Sequence, residues 1–492
     1  MRTKKPNRIV QCSLLCIGAM GGTVAWEIFR AKPNVCLIVV DSLRADAISK
    51  SVGSAQTPHF HQLIDEGVEF RRAFAHAPST LPSQTAMFSG LLPHESRVAN
   101  NGASIGDDVE LLAEHLESSG YETRGFVGLQ DLWKPIAGDG VERGFGEWAQ
   151  SEQVVSRCVD TEAVVMPWLD ELSGDEPFFL FAHFADPHAP YDANGFTKRH
   201  AEATLDGVPV GEKFPTSEQT FFEHELRISP GLHMFEFRSN HPFHMRDFQW
   251  DGPDGVKVTV RQSDLEVADH DVSIAIQNDG DEVVSVNVDA WIHDAPSNTE
   301  ARIRYRREVE AVDVVVGRMV AELKARGIYD DTLIVITGNH GEALGEHGAT
   351  GHDVNLYDEL LHVPLLLKLP AKTKHLDALK AVRDRIARHI DLVPTVFELL
   401  GLPAPDTSGE SLLDEDPRVL FAETHQPEAP RELFCMRDER YKLIYDASGN
   451  SFEMYDLSQD PSELDDVFRT QGHLVQPWQA KLKGVAQANV AP

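Results

Sequence analysis

Three short apolar runs in this chain each end in side chains that can bind a cation, move a proton or hold an anion. NVCLIVV at 34–40 is followed by Asp41, Ser42 and Arg44. FFLFAHF at 178–184 leads to Asp186, Pro187 and His188, and LIVIT at 333–337 leads to Asn339 and His340. Carboxylate and amide oxygens suit hard divalent ions, while imidazole suits softer ions or general acid–base work. Each cluster alone has a plain structural account. An Asp that closes a strand is often a helix cap, and a His beside a Pro fits a loop. Their joint value lies in topology. In an open parallel sheet, ligands bind beyond the carboxyl ends of the strands, so the three clusters are expected to meet at one edge.

The elements that must position them follow from the apolar pattern. Short continuous apolar runs read as strands buried on both faces. Between them, apolar spacing predicts helices over 58–67, with Phe60, Leu63 and Ile64 on one face, and over 85–92 and 109–119. A long helix is predicted over 309–326, with Val309, Val312, Val316, Met319, Val320 and Leu323 inward. Strands alternating with helices predict an α/β fold around a mostly parallel sheet. Two stretches break that rhythm. Within 205–298 the alternating runs LHMFEF, VKVTV, VSIAI and VVSVNVDAWI are separated by Gly, Asp, Asn and Pro, the pattern of an inserted β-sandwich. Its His233, Phe235, His241, Phe243, His244 and Trp250 read as core before they read as a sugar groove. Near the C-terminus, 440–445 and 451–457 read as an antiparallel pair turning at Asn450.

The chain has 492 residues, with 78 acidic against 45 basic and a formal charge of -33. A field of that sign repels nucleic acid and anionic membrane surfaces, so neither is an expected partner. It also repels anionic esters, so a site for one needs local positive charge, such as a metal ion. Arg2, Lys4 and Lys5 precede a largely apolar stretch over 10–26, with Thr23 and Ala25 placed for cleavage. This predicts export to the periplasm or beyond, by a cleaved signal or with the N-terminus kept as a membrane anchor. Cys36, Cys158 and Cys435 lack the short spacings of a disulfide framework or a Cys-based zinc site.

A family resemblance enters with six ordered segments. They are IVVDSLRAD at 38–46, TLPSQTAMFSGLLPHE at 80–95, HFADPHAPY at 183–191, DDTLIVITGNHGEALGEHG at 330–348, GHDVNLYDELLHVPLLLKLP at 351–370 and DLVPTVFELLGLP at 391–403. Together they resemble the motifs of the sulfatases, within the alkaline-phosphatase superfamily. The resemblance covers most of 33–204 and 300–465 and lapses over the β insert. It implies a central mixed sheet flanked by helices, an inserted β-sandwich and a small C-terminal α/β subdomain. The expected layout is a leader over 1–30, a catalytic domain split into 33–204 and 299–415 by the insert at 205–298, and the C-terminal subdomain at 416–492. It implies one divalent metal ion, calcium first and manganese or zinc after it, at Asp41, Thr80, Asn339 and His340. Thr80 matches the nucleophile slot, ahead of a helix expected from Ser83 whose N-terminus favours an anion. His188 and His352 match positions that contact the transferring group or protonate the leaving oxygen. The implied activity is hydrolysis of a sulfate or phosphate-type ester of a small molecule, saccharide or lipid.

The departures from the family pattern carry their own implications. Formylglycine-dependent sulfatases need Cys or Ser in a C/S-x-P-x-R segment. Thr80 and Gln84 occupy those slots here, so no formylglycine is expected, and phosphoester or phosphonate chemistry gains weight. Ser42 and Asn339 stand where Asp is usual, and each removes a negative charge from the metal. The family's Lys-x-His segment is not recognisable near GFVGLQDLW at 125–133. Two other readings therefore stand beside the hydrolase: a phosphodiesterase or phosphotransferase, and a scaffold that has lost its chemistry and binds through the β insert. Glu342, Glu346 and His347 read as a solvated loop, and Asp358 and Glu359 as a helix start.

Overall fold

The computed structural model describes residues 32–49, 54–129, 140–151, 155–172, 176–189, 191, 200–215, 220–239, 243–253, 255–259, 271–294, 298–353, 355–426 and 431–489. The expected leader, the 130–133 end of the segment searched for Lys-x-His, and His241 lie outside them, as do the side chains of Phe243 and His244.

The apolar runs become the middle of an eight-stranded sheet. Strand Asn34–Val40 pairs in parallel with Thr332–Gly338 on one side and Phe178–Phe184 on the other. Glu122–Val127 and Glu147–Gln150 extend the parallel part outward, while His362–Lys368 and Val68–Phe74 add antiparallel pairs, so the sheet is mixed. All residues of the three central strands are buried, because helices cover both faces. Period-two alternation assigns the faces. Val35, Leu37 and Val39 pack with Leu81, Met87 and Phe88 of helix Thr80–Ser89. Cys36, Ile38 and Val40 pack with helices Pro58–Glu66, Cys158–Glu171 and Asn298–Ala325. Continuing the odd-numbered row, Asp41 falls on the face that carries helix Thr80–Ser89. Asn339 follows Leu333 and Val335 onto that face, and His183 follows Phe179 and Phe181.

Two helices differ from the sequence expectation. The helix expected from Ser83 starts at Thr80 and ends at Ser89. Pro82 therefore sits in the first turn, where its missing N–H has no intrahelical partner to lose. The long helix starts at Asn298 rather than 309. Its first turns are crowded with charge, which hid an inward row made of Ala301, Arg304, Tyr305 and Glu308, all buried.

The insert forms two antiparallel sheets around one apolar core, with Phe222, Phe235, Phe237, Ile274, Ile276 and Val288 between them. Its strands begin at His200–Leu205, ahead of the 205 start expected from sequence. Phe235 is core, as the pattern indicated, whereas Trp250 is exposed. His233 is half-buried and ion-pairs with Asp206 at 2.6 Å.

The C-terminal sheet runs Leu420–Gln426, Arg431–Arg437, Tyr441–Asp446 and Ser451–Asp456. Asn450 makes its last turn at φ 45°, a left-handed conformation that Asn tolerates well. A buried ionic cluster ties this sheet to the loop over 345–358. Lys442, fully buried, places Nζ 2.9 Å from Asp358 Oδ1 and 2.7 Å from Glu463 Oε1. Arg437 reaches the other oxygen of Asp358 at 3.2 Å. The Asp358 N–H donates to Glu463 Oε2 at 2.7 Å, and His347 bridges Glu359 and the Glu463 carbonyl. Asp358 does begin a short helix, Asp358–Leu361, but its carboxylate belongs to this cluster.

Candidate active site

Asp41 leaves the central strand fully buried. Its Oδ1 accepts from Asn339 Nδ2 at 3.0 Å and lies 3.5 Å from His340 Nε2; its Oδ2 lies 3.4 Å from His183 Nε2. Burial alone would raise this carboxyl, but the hydrogen bond from His183 and the neighbouring imidazoles outweigh it and hold the group well below the carboxylate range. The next residue, Ser42, has φ 56°, a conformation that costs ~1–3 kcal/mol for a non-glycine residue. Three contacts hold it there. Its N–H donates to Asn339 Oδ1 at 3.0 Å, its carbonyl accepts from the Tyr305 hydroxyl at 2.7 Å, and that hydroxyl accepts the Arg44 N–H at 2.9 Å. Arg44 then locks the later loop, donating to the Glu342 carbonyl and to Glu346 Oε1, both at 2.8 Å.

Thr80 opens its helix almost fully buried, and its Oγ1 lies 3.3 Å from His340 Nε2. His340 Nδ1 lies 2.8 Å from the Gly341 carbonyl, which only an N–H can satisfy. The neutral ring therefore carries its lone pair on Nε2, facing Thr80. Burial, helped by the charge of His352, lowers the His340 imidazolium. The helix end offers an anion less than its position suggested. Leu81 gives its N–H to Asn101 Oδ1 at 3.0 Å, and Pro82 has none. One turn on, Gln84 is fully buried, and neither atom of its carboxamide has a partner among the described residues. Ser83 donates to the Asn339 carbonyl at 2.5 Å and contacts His389 Nδ1 at 3.2 Å, which pins the Asn339 backbone.

His340, His352 and His188 form a row of rings with centroids 4.6 and 5.0 Å apart, from the buried hydroxyl of Thr80 toward the half-buried His188. Glu342, which looked like part of a solvated loop, is fully buried beneath this row, with Oε1 3.4 Å from His352 Nδ1. His183 was also missed, because within an apolar strand an imidazole looks like one more core residue. Asp186 does not join the cluster: it accepts the N–H of Cys158 at 2.7 Å, at the start of helix Cys158–Glu171.

The donor set can be tested against a metal ion. Among the described residues no three His, Cys, Asp or Glu side chains are arranged to hold one. Counting the hydroxyl of Thr80 changes this. His340 Nε2 lies 3.3 Å from Thr80 Oγ1 and 3.5 Å from Asp41 Oδ1. Two ligands at ~2.0–2.1 Å from a tetrahedral ion stand ~3.3 Å apart, so each of these two separations suits a pair of ligands on one ion. Asn339 requires a correction to the expected ligand set. Its Oδ1 is taken by the N–H groups of Ser42 and His340, at 3.0 and 2.8 Å, so its Nδ2 faces Asp41. An amide NH2 has no lone pair to give a cation.

Comparison with known proteins agrees with this architecture. The family model described as Sulfatase matches residues 33–402, and the model described as N-sulphoglucosamine sulphohydrolase, C-terminal, matches 345–487. The N-acetylglucosamine-6-O-sulfatase of Bacteroides thetaiotaomicron is 22% identical, over 89% of this chain and 83% of that protein. A multifunctional alkaline phosphatase superfamily protein of Trinickia caryophylli is 25% identical, over 88% of this chain and 85% of its own length. Among solved structures, the phosphonate monoester hydrolase of Agrobacterium radiobacter superposes with a TM-score of 0.60 at 20% identity, covering 93% of this chain and 96% of that one. With three quarters of its length matched by one family model, the chain belongs to the sulfatase family of the alkaline-phosphatase superfamily and is a sulfuric ester hydrolase-like enzyme.

Proposed function

We propose that this chain hydrolyses a sulfate or phosphate-type ester by transferring the group to Thr80 Oγ1. The observation that carries the proposal is the meeting of a buried helix-terminal hydroxyl with His340, Asp41 and His352 at one sheet edge. Sulfatase-superfamily enzymes are metal-dependent in general. Asp41, Thr80 and His340 would hold the ion here, and it would supply positive charge to the ester oxygens and favour the ionised hydroxyl. Thr80 Oγ1, its proton given up to solvent before attack, forms a bond to sulfur or phosphorus as the ester bond on the opposite side breaks. The departing oxygen takes a proton from His352, or from His188 beside it. Water then attacks the Thr80 ester, giving its proton back to that imidazole and freeing Oγ1. Thr carries no route to formylglycine, so the intermediate is a threonine ester.

The relative named as an N-acetylglucosamine-6-O-sulfatase makes a sulfated saccharide the first substrate to try. A phosphonate monoester is the second, from the solved hydrolase of that name. The basic N-terminus and apolar stretch of the leader assign this chemistry to an exported protein. Turnover of sulfated glucosamine, aryl sulfate, phosphate diester and phosphonate probes by leader-free protein tests the proposal. Hydrolysis of one class supports it, and inertness toward all four with metal supplied sinks it.

The acid role of His352 makes a pH prediction. Burial alone would lower this imidazolium, but the Glu342 carboxylate and its hydrogen bond push it up to about 10. A raised histidine is protonated at neutral pH and loses its charge as pH climbs through that value. The stability it contributes has the same sign, complete below ~6.5 and gone above about 10. The basic limb of the kcat profile should therefore fall near pH 10 in the native enzyme. Glu342→Gln should move that limb down by ~1–3 units, with the acid limb in place. An unmoved basic limb would exclude Glu342 from this role.

A further inference from the structure

Among the described residues that converge on Thr80, Asp41 is the carboxylate in contact with both Asn339 and His340, while Glu342 and Asp353 stand behind His352, 3.4 and 3.9 Å from its ring nitrogens. A hard cation such as calcium or magnesium needs six or more oxygen ligands, most of them from carboxylates and carbonyls. Two residues withhold such oxygens here. Asn339 spends Oδ1 on two backbone N–H groups and turns Nδ2 to Asp41 at 3.0 Å. Ser42 offers a hydroxyl, 3.4 Å from Asp41 Oδ1, where the family pattern has a carboxylate. Its left-handed backbone, fixed through Tyr305, leaves that residue little freedom to move. What remains is one carboxylate, one imidazole and one hydroxyl, a mixed nitrogen–oxygen set that suits first-row transition ions.

We propose that Asn339 selects the metal: its carboxamide, locked with NH2 toward Asp41, closes the site to calcium and magnesium and leaves a transition-ion site on Asp41, His340 and Thr80. The inference rests on the reading that these three residues face a bound ion. It does not depend on Thr80 being the nucleophile, because metal preference is read without substrate.

The test is calorimetry and thermal shift on leader-free, metal-stripped protein, with calcium, magnesium, manganese and zinc chlorides titrated separately. Wild-type protein should bind zinc, bind manganese more weakly, and give no binding isotherm or shift with millimolar calcium or magnesium. Asn339→Asp returns an oxygen to the same spot and should narrow the gap between zinc and calcium by ~10–100-fold. His340→Ala should abolish the transition-ion binding. Calcium binding as tight as zinc in the wild type, or zinc binding that survives His340→Ala, overturns the proposal. An Asn339→Asp protein with an unchanged ratio also overturns it. If Asn339→Asp does not fold, the wild-type order and the His340→Ala result still decide. Selective zinc binding without ester turnover would uphold this inference while removing the hydrolase reading.

Discussion

Thr80→Ala lowers kcat by at least ~10,000-fold on whichever ester class is turned over, because the hydroxyl facing His340 is gone and water must attack unaided. Stability changes little. The substitution removes one methyl, one hydroxyl and a 3.3 Å contact, worth ~1–2 kcal/mol, from a helix held by Leu81, Met87 and Phe88. Thr80→Ser keeps the attacking oxygen and should retain measurable turnover. Rapid-quench trapping of a covalent ester on residue 80 would distinguish a nucleophile from a mere metal ligand. If the alanine variant turns over within ten-fold of the native rate, as an order of magnitude, Thr80 is neither.

Lys442→Met produces the largest loss of stability. Lys442 is fully buried between Asp358 and Glu463, and its removal takes from Glu463 its ion-pair partner and from Asp358 one of two, leaving Arg437. Breaking a buried ion pair from one side costs ~3–5 kcal/mol, because the surviving charge stays desolvated. The sign of the pH dependence follows from Glu463. Burial raises its carboxyl to about 7, with Lys442 pulling the other way. Without Lys442 it rises further, so the penalty is greatest above neutral pH and shrinks as acid neutralises the group. Thermal unfolding at two pH values measures this, and Lys442→Met with Glu463→Gln should recover part of the loss. A variant that melts with the wild type at pH 8 would show that the cluster contributes nothing. Because Glu463 also holds the loop leading to His352, a weaker clamp should lower activity before the protein unfolds.

The strand ends were legible because apolar runs that stop abruptly at Asp41 and Asn339 can be read without knowing what lies beside them. The same was true of the alternation in the insert and of the turn at Asn450. What escaped was burial created by distant partners. Glu342 sits among glycines and charges, and only the rings above it turn a solvated-looking loop into a site wall. The first turns of helix Asn298–Ala325 failed for the same reason: Arg304 and Glu308 point inward, against the usual meaning of charge. Pro82 misled in the other direction, since it marks a first turn as readily as a break. The orientation of the Asn339 carboxamide lay beyond any sequence reading, because the two N–H groups that fix it belong to residues 42 and 340.

Asp41 and Asn339 meet across 298 positions of chain, and the strands that carry them are direct neighbours. At ~5–20 residues per second, a ribosome needs ~15–60 s to travel between them. Once Phe178–Phe184 has been made, strand Asn34–Val40 can pair with it on one edge, and the other edge stays an open apolar template until Thr332–Gly338 follows. The nascent chain is thus most prone to misassociation while the insert is emerging, and no fragment that stops short of residue 340 can have a working centre. Catalytic competence in this enzyme is a late event in its own biosynthesis.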